Sequence, residues 1–255
     1  MKVAISSWSF HRTIDKGMTQ KEWIKKCSEL NVEGLELLDV HFPSASKNYL
    51  REIKKMICDL GLDIACVSVC NNFAMPSKLK VRKETDKVKK WLDTTLFLGS
   101  SVMRIFAGGR VEEKDKAMVW PIMINSLKTA AGEAKERGIT LAIENHGRGF
   151  TADSKATLKI LKAVKSSYLR LTLDTGNFVD LYPSIQDCAP YAAFVHAKTY
   201  EFDEKGQEKK LDYLRIMKIF KKIRYRGYFS VEYEGEDKNE EQMVKKSVEF
   251  LKRFL

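Results

Sequence analysis

Val3-Ala4-Ile5-Ser6, followed without a break by Ser7-Trp8-Ser9-Phe10, is the stretch on which the choice of fold turns. The first four residues read as a short strand and the next four as its exit turn. An open, doubly wound sheet usually marks that turn with glycines that let a phosphate approach the backbone. Here no glycine occurs before Gly17. A closed barrel is the better reading, and the rest of the chain agrees with it.

Short β-branched runs alternate with longer amphipathic stretches, the pattern of βα units. Strands are expected at Val3–Ser6, Gly34–Leu38, Asp63–Val69, Val102–Phe106, Thr140–Glu144, Leu169–Asp174, Ala193–His196 and Tyr228–Glu232. Helices are expected near Thr19–Leu30, Ser46–Leu60, Val81–Leu98, Lys114–Arg137, Asp153–Val164, Ser184–Ala189, Asp212–Arg224 and Asn239–Phe254. Thr19 and Glu22 form a capping box. Gly61, Gly99, Gly138 and Gly227 follow helices and precede strands, as helix-stopping glycines do. Pro121 is expected to kink or break the fourth helical stretch. Eight pairs in 255 residues make about 32 residues per unit, the size of one βα repeat. No linker or composition break interrupts them, so residues 1–255 read as one (β/α)8 TIM barrel domain.

Composition narrows the class. The chain is 44% hydrophobic and 31% charged, with 13 Phe, 9 Tyr and 4 Trp, enough apolar surface to exclude disorder. Its longest apolar runs, such as Ile64–Val67 and Tyr191–Val195, fall far short of the roughly 20 residues a membrane span needs. His11, Arg12 and Asp15 interrupt any signal-peptide core. Five cysteines, odd in number and without CxxC spacing, suggest reduced thiols and a cytoplasmic protein. Cys66 and Cys70 are expected to share one side of a strand as packing residues. The formal charge of +11 is spread over Lys/Arg stretches interleaved with apolar and acidic residues. Solvated helix faces account for most of it, and modest attraction for anions or nucleic acid would account for the rest.

Chemistry concentrates in the second half. Leu141-Ala142-Ile143-Glu144, Leu171-Thr172-Leu173-Asp174, Phe194-Val195-His196 and Phe229-Ser230-Val231-Glu232 end four consecutive expected strands on a metal-ligand type. In a barrel, parallel strands deliver their C-terminal ends to one face, where active sites are built. Three carboxylates converging there would repel unless a divalent cation joined them. Oxygen donors with a single nitrogen suit Mn²⁺, Mg²⁺ or Co²⁺ better than a structural Zn²⁺. Any one of the four reads equally well as a loop cap; the set is far more specific.

His146 and Lys198 stand two residues past Glu144 and His196, on the same side, and are candidate substrate contacts. The alternatives are a loop-orienting role for His146 and a salt bridge to Asp174 or a nearby Glu for Lys198. Trp8 and Phe10 would wall a sugar pocket or belong to the core. Gly108-Gly109-Arg110 is a weak phosphate candidate, and Glu234 and Glu236 read as supporting loop groups.

Glu144-Asn145-His146-Gly147, Asp174-Thr175-Gly176-Asn177, Val195-His196-Ala197-Lys198 and Ser230-Val231-Glu232-Tyr233-Glu234-Gly235 resemble the sugar isomerase/epimerase superfamily. This is the xylose isomerase-like TIM barrel group, related to ketose 3-epimerases, hydroxypyruvate isomerase, inosose dehydratase and endonuclease IV. The resemblance covers essentially the whole chain, including Ile5–Phe10 and Gly34-Leu35-Glu36-Leu37. It implies that Glu144, Asp174, His196 and Glu232 bind one divalent metal; by its donor chemistry Mn²⁺ is expected first, with Mg²⁺, Co²⁺ or Zn²⁺ as alternatives. It further implies that Glu144 and Glu232 are the catalytic acid/base pair, on opposite faces of a small sugar-like substrate. Dimers or tetramers would fit it, so a homo-oligomer is among its implications. The implied reaction is isomerisation or epimerisation. Dehydration of an inosose- or shikimate-type compound and noncatalytic sugar binding are the alternatives. Endonuclease IV-like DNA repair is disfavoured, because its three-metal site needs histidines that this chain lacks. Asn177 stands where one is required, no His lies between His41 and His146, and none follows His196.

Overall fold

The computed structural model describes residues 1–147 and 149–254. Eight parallel strands close in chain order into a barrel: β1 Lys2–Ser6, β2 Gly34–Leu38, β3 Asp63–Ser68, β4 Val102–Phe106, β5 Thr140–Glu144, β6 Leu169–Asp174, β7 Ala192–Thr199 and β8 Tyr228–Tyr233. Pairing of Val3 with Phe229 and Ile5 with Val231 seals β1 to β8. The fold is the expected TIM barrel. Its strands are buried on both faces: apolar side chains such as Val3, Ile5, Leu35, Leu37 and Val231 pack under the helices, while many inward side chains, Glu36, Arg104 and His196 among them, are polar.

The helices are α1 His11–Asp15, α2 Gln20–Ser28, α3 Lys47–Asp59, α4 Lys78–Leu98, α5 Glu113–Glu136, α6 Ser154–Val164, α7 Leu181–Cys188, α8 Tyr213–Lys222 and α9 Glu240–Lys252. Thr19 and Glu22 make the reciprocal capping bonds of α2. Every helix except the short α1 buries apolar residues against the barrel: Trp23 and Ile24, Leu50 and Ile53, Val88 and Leu92, Leu127, Ile160, Ile185, Ile216 and Phe220, Val244. Burying one such side chain contributes about 1.5–3 kcal/mol. Among the described residues, no helix is long and apolar enough to cross a membrane.

Three local expectations are corrected and one, at Pro121, is narrowed. Pro121 lies inside an unbroken α5. It sits on the exposed side, where water can serve the carbonyl that loses its N–H partner. Strand β7 runs three residues past His196, to Thr199, so His196 lies within the barrel rather than at its rim. Helix α8 is followed by Arg224 at φ +55°, whereas Gly227 is not left-handed and packs against Tyr225. Cys70 lies beyond β3 and is exposed, while Cys66 is buried inside the barrel; all five cysteines are free.

Candidate metal centre

The four strand-end residues meet. One ligand atom from each of Glu144, Asp174, His196 and Glu232 lies within 4.8 Å of the others, and all four residues are buried. Local bonds set their directions. Asn145 accepts from Asp174 N at 2.7 Å and donates to its carbonyl at 2.9 Å, tying the end of β5 to that of β6. Gly176 N donates to Asp174 Oδ1 at 2.8 Å, leaving Oδ2 turned inward.

Among the described residues, His196 Nδ1 is buried without a hydrogen-bond partner, and Asp174 Oδ2 has no hydrogen bond but only the Lys198 ammonium 3.0 Å away. His196 Nδ1 stands 3.3 Å from Glu232, 3.6 Å from Glu144 and 3.8 Å from Asp174, aligned for a hydrogen bond with none of them. Orphaned polar atoms in a native interior call for a partner. A cation shared by the four residues would supply it.

Charge agrees. Glu36, Glu144, Asp174 and Glu232 are four buried carboxylates facing two buried permanent cations, Arg104 and Lys198. With all four ionised and His196 neutral, as a metal ligand has to be, two negative charges remain uncompensated, the charge of one divalent ion.

The two sequence-invisible members sit beside these ligands. Arg104 Nε of β4 lies 3.2 Å from Glu144 Oε2, and its guanidinium covers the Phe106 ring at 4.4 Å. Glu36 of β2 reaches across the barrel to His196 Nε2 at 2.9 Å and accepts from Ser68 and from Ser230, the latter at 2.7 Å. A single charge inside an otherwise apolar strand was the available signal for both, and Glu36 also falls in the Gly34–Leu37 stretch of the resemblance, which assigned it no role.

Titration follows the same neighbours. Burial opposes ionisation of Glu36, but His196, Arg104 and the Ser68 hydroxyl outweigh it and hold the carboxyl at about 2. Burial likewise opposes Glu144 and Glu232; His196 with Arg104 keeps the first low, and His196 with Lys198 the second. Asp174 goes the other way. Burial, reinforced by the charges of Glu144 and Glu232, pushes it up to about 7 against the pull of Lys198. It is the carboxylate that gains most from a cation. His196 is buried, but the facing carboxylates raise it well above the usual histidine range, so a cation has to displace a proton from it.

Above this cluster lies a cavity of about 380 Å³, lined by Trp8, Arg104, Phe106, Glu144, His146, Lys198, Glu232 and Glu234 among others. Asp174 and His196 are fully buried and do not line it. The candidate site residues thus fall into a floor and a wall. A larger groove of about 790 Å³ runs between α4 and α5 on the outside of the barrel, away from the cluster.

Lys198 lies on the wall in its salt-bridged role: Nζ is 2.8 Å from Glu232, 2.9 Å from Glu234 and 3.0 Å from Asp174. Trp8 Nε1 donates to Glu234 at 2.8 Å, and its ring stacks on His11. His146 is exposed at the mouth, packed on Phe106 at 4.8 Å. Phe10 is core rather than wall. Glu234 is a supporting group as expected, and Glu236 is exposed beyond the cavity. Gly108 and Gly109 do not form a phosphate cradle. Gly108 has φ +152°, a Cβ there would overlap Ala74, and Gly109 N already donates to Asn72 Oδ1 at 3.2 Å. These glycines dock one loop on its neighbour.

Comparison with solved structures finds the same barrel. An L-ribulose 3-epimerase superposes with TM-score 0.84 at 17% identity, over 100% of this chain and 94% of that one. A D-psicose 3-epimerase from Clostridium cellulolyticum gives 0.82 at 15%, covering 100% and 99%. A probable 3-DHS dehydratase from Bacillus anthracis gives 0.80 at 17%, covering 99% of each. At these identities the likeness is one of fold. A C-glycoside deglycosidase alpha subunit from Arthrobacter globiformis is 49% identical over 49 residues, which is 19% of this chain and only 14% of that protein. Across most of the sequence, residues 24–254, the match is to a family model described as xylose isomerase-like TIM barrel. The chain belongs to the xylose isomerase-like TIM barrel family.

Proposed function

We propose that the protein is a divalent-metal-dependent isomerase or epimerase of a sugar or sugar-like polyhydroxy carbonyl compound. One observation carries this reading: of the four converging residues, only Glu144 and Glu232 line the cavity, while Asp174 and His196 lie beneath it. The division suits two residues that touch both cation and substrate and two that hold the cation alone.

Glu144, Asp174, His196 and Glu232 would hold the cation, with Mn²⁺ as the first choice for an oxygen-rich set. When bound, it supplies a Lewis acid that draws charge from the substrate oxygens and so acidifies the neighbouring C–H bond. Glu144 and Glu232 come from β5 and β8, three strands apart around the barrel. One carboxylate removes the proton and the other, or the same one, returns it. Return from the far side inverts a centre; return at the adjacent carbon isomerises. Arg104 and Lys198 each stand beside one of the two and keep it ionised, ready to accept a proton. Trp8 and His146 offer an aromatic wall and a polar contact at the mouth. A noncatalytic sugar binder has no need of two cavity-facing bases.

Dehydration is the second reading. The same carboxylates can remove a proton next to a departing hydroxyl, and the fold likeness to a probable 3-DHS dehydratase keeps that outcome in view. Neither reading involves nucleic acid or a membrane, and free thiols suit the cytoplasm.

The test is solvent exchange. Protein with Mn²⁺ is incubated in heavy water with ketoses, inososes, their phosphates and a C-glycoside, the last prompted by the short deglycosidase match. Deuterium entering one carbon of one compound is expected, with loss of water marking the dehydratase reading. No exchange and no elimination across the panel would reject both.

A further inference from the structure

Glu36 takes no part in the proton chemistry above. It is fully buried in the barrel interior, and its strand is otherwise Gly34, Leu35, Leu37 and Leu38. A carboxylate in such a place is costly unless several donors meet it. Here donors arrive from three other strands: Ser68 of β3 and His196 Nε2 of β7 at Oε1, and Ser230 of β8 at Oε2. The two serines fix the plane of the carboxylate, and the carboxylate in turn fixes the imidazole.

The bond from His196 decides which ring nitrogen is free. A neutral imidazole that donates from Nε2 carries its lone pair on Nδ1. Nδ1 is the atom that faces Glu144, Asp174 and Glu232, and it has no hydrogen bond among the described residues. With the proton on Nδ1 instead, the ring would turn an N–H toward the cation site and a lone pair toward Glu36.

We propose that Glu36 is a positioning residue: by accepting the Nε2 proton across the barrel, it aims the His196 lone pair at the three carboxylates and prepares the cation site. This rests on the reading of those four residues as a cation site. A carboxylate behind a ligating imidazole also raises the ring's donor strength, and losing such a partner typically weakens metal affinity by about 10–100-fold.

The experiment is a Co²⁺ titration of cation-stripped wild type, Glu36→Gln and Glu36→Leu, followed by visible absorption, with thermal melting recorded alongside. Glu36→Leu is expected to bind about 10–100-fold more weakly than wild type. Glu36→Gln should lose less, because its amide oxygen still accepts from Nε2. If the leucine variant does not fold, the glutamine variant carries the test together with ¹⁵N-imidazole spectra of the Zn²⁺-loaded wild type. In those spectra His196, one of four histidines, should be protonated at Nε2 and not at Nδ1; His196→Asn identifies its signals. Both Glu36 variants binding Co²⁺ as wild type does would overturn the proposal, even with lowered melting points, since that is what a purely structural role predicts. A proton on Nδ1 would overturn it too. If wild type itself binds no cation, the cation reading falls and this proposal with it.

Discussion

Glu144→Gln and Glu232→Gln should each lower turnover by about 10²–10⁴-fold while leaving a cation bound. Glutamine keeps an oxygen donor in the same place but has almost no basicity, so coordination and proton transfer separate. Both residues line the cavity and both touch the cluster, which is why they alone are expected to show this split. The two variants should also differ from each other. If each carboxylate serves one face, one variant still exchanges the proton of one epimer with solvent and cannot finish the conversion. His196→Asn should behave otherwise, losing affinity first and recovering activity with excess Mn²⁺. Turnover, solvent exchange and Mn²⁺ affinity measured on the same preparations check this. Near-normal turnover in either glutamate variant with cation bound would contradict a two-base mechanism.

Lys198→Met should destabilise the cation-free protein by about 3–5 kcal/mol, the usual loss when one partner of a buried ion pair is removed. The ammonium is buried and within 3.0 Å of three carboxylates. Methionine fills a similar volume, so the loss is mainly electrostatic. Glu232 and Asp174 would be left facing Glu144 with one positive charge fewer. Mn²⁺ should therefore raise the melting temperature of Lys198→Met by more than it raises that of wild type, because the cation restores balance to a site in greater deficit. Melting curves of both proteins with and without Mn²⁺ provide the check. Equal shifts would mean that Lys198 and the cation do not share their carboxylates.

The elements that could be read from the sequence are those whose signal is local. Strands β2, β4, β5 and β6 have the expected bounds, because apolar runs ended by turn residues carry that information directly. The Glu144–Asp174–His196–Glu232 set was legible for a related reason. Barrel topology turns four sequence positions into one spatial point without further knowledge. Where geometry across the barrel matters, the sequence was silent. Glu36 and Arg104 sit in strands whose neighbours are apolar, and nothing local says that they face inward toward residues on β7 and β5. Alternation placed Lys198 on the correct side but could not say whether its ammonium would meet a substrate or Asp174 and Glu232, since that depends on side-chain reach. Whether Pro121 would break α5 could not be read, because that depends on whether water reaches the orphaned carbonyl, and exposure is a tertiary property.

The most direct test is a Mn²⁺ titration of cation-free wild type and Asp174→Asn, with bound and free ion separated by electron paramagnetic resonance. Asp174 is the informative position because it lies outside the cavity, so its loss does not remove a group that touches substrate. Wild type should bind one Mn²⁺ per chain, more tightly as pH rises from 6 to 8 and the His196 proton becomes easier to displace. Asp174→Asn should bind at least ten times more weakly, about 1.4 kcal/mol or more. Absence of a stoichiometric site in wild type, or equal affinity in the two proteins, would contradict the assignment of these four residues as a cation centre.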